Sequence, residues 1–82
     1  MYKDCIITVI SDLAFYGKVL IRYFGENDGE NAIKFILNKN KSVTGIFTNS
    51  NNNTKKLSFD TIDNMINYLE KIRDKIYKIE IN

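Results

Sequence analysis

The chain folds, by its strongest local signal, around KVLIRYFGENDGENAIKFILN, residues 18–38. Two apolar runs, Lys18 to Phe24 and Ala32 to Asn38, flank the polar segment Glu26 to Asn31. Both runs are rich in β-branched and aromatic residues, which suit a pleated strand. The Asp28-Gly29 pair between them matches a two-residue type I′ turn, whose central residues take positive φ. Glycine does so freely and aspartate tolerates it. The segment therefore predicts a β-hairpin.

That turn sets a register in which the numbers of paired residues add to 57. Leu20, Arg22, Phe24, Ile33, Phe35 and Leu37 then share one face, which reads as core. Val19, Ile21, Tyr23, Lys34, Ile36 and Asn38 share the other. A half-buried antiparallel sheet alternates apolar with polar residues, and this second face is too apolar for open water. Either the amino-terminal segment wraps over it or it is a patch that marks an interface. Val19, Ile21, Tyr23, Lys34 and Ile36 are accordingly the candidate protein-binding residues. Ile21, Tyr23 and Ile36 form the centre and Lys34 the rim. A one-residue slip would exchange the faces and move the interface to Leu20, Phe24 and Phe35.

Before the hairpin, residues 4–10 (DCIITVI) are short and β-branched and read as a strand, broken at Ser11-Asp12. A helix from Asp12 to Gly25 competes with the strand over 18–24. Gly17 in its middle, with Val19 and Ile21, argues against it. After the hairpin, Asn38 to Lys41 forms a turn and Ser42 to Thr48 a strand. The asparagine-rich segment Asn49 to Thr54 reads as a solvated connection, and Lys55 to Phe59 as a last short strand.

The period then changes. Ile62, Met65, Leu69, Ile72, Ile76 and Ile79 recur at spacings of three and four, the stripe of a long amphipathic helix. Ser58 or Asp60 is placed to cap its start, and Asp60 and Asp63 suit the positive end of its dipole. From Tyr77 the chain can leave the helix as a terminal strand. The expected architecture is one α+β domain over residues 1–82. It is an antiparallel β-meander of four to five strands packed against one long C-terminal amphipathic helix.

Composition narrows the chemistry. The 82 residues contain no histidine, no proline, no tryptophan and one cysteine, with a formal net charge of +2. Imidazole-based catalysis is excluded, and zinc would need carboxylates around a single thiolate. Cys5 reads as a small core residue of a reducing compartment. No phosphate-binding glycine loop occurs. Glu26, Asp28 and Glu30 fail the calcium-loop pattern, because the twelfth position is Leu37. No cofactor is expected. The reading is a non-enzymatic cytoplasmic protein without a signal peptide or an apolar run long enough for a membrane.

Lysine, isoleucine and asparagine supply 34 residues, pointing to an A/T-rich genome. Together with the small size, this suggests an inhibitor or accessory factor of a phage or other mobile element, anti-CRISPR-like or immunity-like, acting by binding an unidentified protein. The small core suggests added burial through a homodimer. An alternative is a sheet that binds single-stranded nucleic acid without sequence preference through Arg22, Tyr23 and Lys34. A third reading is a structural subunit that only builds an oligomer.

Overall fold

A computed structural model describes residues 5–25 and 29–81. Helix α1 (Cys5–Tyr16) is followed by strands β1 (Lys18–Phe24), β2 (Glu30–Leu37), β3 (Val43–Thr48) and β4 (Thr54–Phe59). Helix α2 (Ile62–Ile72) and a 3₁₀ turn (Arg73–Lys75) then lead to β5 (Ile76–Glu80). The five strands form one antiparallel sheet in the order β4-β3-β2-β1-β5. The α+β class and the antiparallel sheet stand as expected, with β1 to β4 a meander and β5 joined beside β1. The single long helix does not.

The first expected strand is helix. Cys5, Ile6, Val9 and Leu13 are buried at helical spacing, so packing on the sheet selects the helix over the local β-preference of Ile6 to Ile10. The helix ends at Gly17, which has φ +79° and donates from its N–H to the Leu13 carbonyl at 2.8 Å. This is a left-handed cap, a conformation that glycine adopts without the steric cost of a Cβ. Gly17 thus stops a helix, and the proposed helix from Asp12 to Gly25 is replaced by β1 from Lys18 onward.

Thr61 caps α2, its Oγ1 accepting from the Asn64 N–H at 3.1 Å, where Ser58 or Asp60 was expected. Only Ile62, Met65, Leu69 and Ile72 of the six-residue stripe lie on this helix. Ile76 and Ile79 belong to β5. Three positions apart on a regular strand, they would point to opposite faces. A register shift between Arg22 and Tyr23 sets Ile79 against Ile21 and Ile76 against Tyr23, which turns both isoleucines to one side.

The β1–β2 register also differs from expectation. Paired numbers add to 54: Val19 faces Phe35, Ile21 faces Ile33 and Tyr23 faces Asn31. Gly25 closes the hairpin by donating to the Gly29 carbonyl at 2.7 Å. Asp28 itself lies outside the described residues. The shift is odd, so it exchanges the two sides of β1 relative to β2. Hydrophobic matching explains the choice, since the expected register would have buried Arg22 with Phe35.

Both helices cover the same side of the sheet, and α2 carries the chain back across that side from β4 to β5. The core contains Val9, Leu13, Val19, Ile21, Ile33, Phe35, Val43, Met65 and Leu69, all essentially inaccessible. Gly45 sits opposite Phe35 and leaves room for the Phe59 ring, which lies 3.3 Å from where a Cβ would stand. Phe59 in turn packs edge-on to Tyr68 of α2. Cys5 is buried, its thiol directed at the Arg73 carbonyl 3.9 Å away.

Candidate functional site

The strand registers order the opposite side of the sheet, which neither helix covers, into cross-strand rows. The middle row runs Glu80, Leu20, Lys34, Ile46 and Lys56, one residue from each strand. The row beside it runs Lys78, Arg22, Ala32, Thr48 and Thr54. On the other flank lie Lys18, Ile36, Thr44 and Ser58. Residues within a row stand about 4.8 Å apart, so Lys34 and Lys56 are separated by about 10 Å with Ile46 between them.

Among the described residues this face carries Lys18, Arg22, Lys34, Lys56 and Lys78 against Glu30 and Glu80. Two of the five cations are engaged with Glu80, Arg22 at 2.8 Å and Lys78 at 3.9 Å. The Arg22 hydrogen bond is the main reason the Glu80 carboxyl is held below the usual carboxylate range. Among the described residues, Lys18, Lys34 and Lys56 make no ion pair. Their charges face outward beside apolar side chains. Leu20 is only 9% exposed, but Ile46 is 39% exposed.

An aromatic pair stands at the hairpin end of the face. Phe24, 40% exposed, stacks on Tyr77 with ring centroids 4.5 Å apart. The bulge in β5 brings Tyr77 here. Burial first, then a hydrogen bond to Glu30, raises the Tyr77 phenol above its ordinary range. Arg22, Glu30, Ala32, Thr48, Asn49 and Asn52 line a polar cleft of about 440 Å³ at the same end. Asn49 shapes its rim by accepting backbone N–H bonds from Asn51 and Asn53.

The residues read from sequence divide between the two sides. Val19, Ile21 and Tyr23 are core, with exposures of 0%, 0% and 5%. Lys34 and Ile36 lie on the open face. Of the nucleic-acid set, Arg22 and Lys34 share the open face while Tyr23 points into the core. Burial, then the Tyr68 hydroxyl, pushes the Tyr23 phenol well above its ordinary range, with Asn31 opposing. Phe24 and Leu20 stand on the open face, as the exchange of faces implies, while Phe35 is core, and Ile46, Lys56 and Tyr77 went unrecognised. The alternation Thr44-Gly45-Ile46-Phe47-Thr48 held the signal for Ile46, whereas Tyr77 reaches this face only through a bulge.

Among the described residues no three His, Cys, Asp or Glu side chains group as metal ligands, and no helix is long and apolar enough to cross a membrane. Compared with known protein families, curated proteins and solved structures, the chain matches none.

Proposed function

We propose that the chain is a non-enzymatic binding module that docks the acidic surface of a partner protein on its open sheet face. One observation carries this reading: Lys34 and Lys56 flank exposed Ile46, on a face that neither helix covers and that carries, among the described residues, five cations against two carboxylates. Apolar centres supply most interface energy, and surrounding charges steer the approach of a partner of opposite sign. An inhibitor or accessory factor needs no more than this, and an anti-defence or immunity role in a mobile element fits the size and composition.

The Phe24–Tyr77 stack beside Arg22 favours a second reading, a sequence-tolerant binder of single-stranded nucleic acid. Glu30 and Glu80 stand beside that stack and would repel a phosphate backbone, so protein binding takes precedence.

Affinity capture from the source cells, with Lys34→Glu/Lys56→Glu as the paired bait, tests the assignment. The wild-type chain should retain a partner at low salt that the double variant loses, and cross-links should map to an acidic patch on that partner. Equal retention by both baits would refute it. Fluorescence anisotropy with a thymidine oligonucleotide separates the second reading. Binding that weakens steeply with salt, and by about 1–3 kcal/mol in Phe24→Ala, would reverse the order of the two.

A further inference from the structure

The two helices present opposite kinds of surface to solvent. On α2 the exposed positions are Asp63, Asn64, Asn67, Glu70 and Lys71, an ordinary charged outer face. On α1 they are Ile7, Thr8, Ser11, Ala14, Phe15 and Tyr16, and none carries a charge. Phe15 is 80% exposed, Ile7 59% and Tyr16 50%. The rings of Phe15 and Tyr16 meet edge-on at 4.7 Å. In a chain that is 27% charged, Asp12 is the one charged residue of this helix, and it is half-buried. Large apolar side chains exposed together, with no exposed charge among them, mark a surface that belongs inside an assembly.

We infer that the outer side of α1 is a self-association surface that takes α1 of a second copy. Charge identifies the occupant. A two-fold contact sets the same surface against itself, so a net charge is doubled across it and repels. The open sheet face, with its excess of cations, is unfit for such a contact. The exposed residues of α1 carry no charge to oppose their own copy and none with which to select an acidic or basic partner, and the one charge beside them, Asp12, is half-buried.

Shape agrees with the assignment. Ile7, Ser11 and Phe15 are spaced by four residues and lie along one stripe, a small residue between two large ones. Ile7 and Phe15 are about 12 Å apart along the axis. Two such helices crossing antiparallel at Ser11 place Phe15 of each copy beside Ile7 of the other. The small serine at the crossing lets the axes approach to about 8 Å. A membrane surface is the poorer fit, because helices that lie on one carry Lys or Arg along the polar face, and α1 has neither.

A single helix pair buries less than the roughly 800 Å² per partner of a standard interface, so the dimer is weak, its dissociation constant micromolar or higher. Sedimentation equilibrium of the full chain at about 5–500 µM reaches into that range. The wild type should pass from monomer to dimer, with little response to salt. Phe15→Glu should raise the dissociation constant at least tenfold, and Ile7→Glu should do the same. Lys34→Glu/Lys56→Glu on the sheet face should leave it unchanged, so this test and that of the sheet face fail separately. Circular dichroism of each variant should match the wild type. A wild type that stays monomeric throughout would overturn the inference. So would a dimer that Phe15→Glu and Ile7→Glu both keep, or a monomer that binds phosphatidylcholine vesicles through Phe15.

Discussion

Arg22 donates from Nε to Glu80 Oε2 at 2.8 Å, across the ladder that joins β5 to β1. The two residues are 58 positions apart in the chain, and their contact lies on the open side of the sheet. It ties the edge strand that ends the fold to the strand that begins the hairpin.

The Glu80 carboxyl is held below its usual range, so its contribution to stability is present above the unfolded carboxylate pKa and is lost as pH falls through the folded value. Glu80→Gln should therefore lower the melting temperature modestly at pH 7. The difference from wild type should vanish in acid, where both side chains are neutral. A gap that is the same at both pH values would show that the ion pair is not its source.

Core and open face should respond differently to truncation. Ile21→Ala removes methyl groups from a site with no exposure and should cost about 2–5 kcal/mol in urea unfolding. Ile46→Ala, on the uncovered side, should change stability by no more than about 0.5 kcal/mol. Equal losses would mean that something covers the outer face.

Tyr23 gives a prediction of opposite sign in pH. Its phenol is raised, so the neutral form is favoured in the folded state. Stability is then full below the ordinary tyrosine pKa and declines as pH rises through and above it. Lysines also titrate there, and comparison with Tyr23→Phe isolates the one group. The wild type should lose more stability than the variant between neutral and strongly alkaline pH. Parallel losses would contradict the burial of this hydroxyl.

Gly17 separates backbone strain from crowding. A Cβ added there meets no atom within 4 Å, yet φ is +79°. Gly17→Ala should cost about 1–2 kcal/mol through the left-handed conformation alone, and Gly17→Asn less. A neutral alanine variant would show that the helix end relaxes.

The strands from β1 to β4 were readable because each is a short run of β-formers between turn residues. Helix α1 was not, since Ile6 to Ile10 prefer strand locally and only the spacing of Cys5, Val9 and Leu13 reveals a helix that needs the sheet beneath it. Arg22 carried the missed clue to the register. A pairing that buries an unpartnered guanidinium is disfavoured against one that buries Val19, Ile21 and Tyr23. The candidate site inherited that error, because every outward residue of β1 depends on the register. The apolar side of β1 read as an interface is core beneath α1, and large exposed apolar side chains stand instead on the outer side of α1, at Phe15 and Ile7.

The placement of β5 beside β1 has a consequence for how the chain is made. At about 5–20 residues per second, the 58 positions between Arg22 and Glu80 take on the order of 3–12 s to synthesise. During that interval β1 can pair with β2 while its other edge offers unmatched N–H and C=O groups. An open edge on a strand as apolar as this one is a template for a neighbouring nascent chain. Codon choices that slow translation between β2 and β5 would lengthen that exposure, and on a crowded polysome they would turn a folding problem into an aggregation problem.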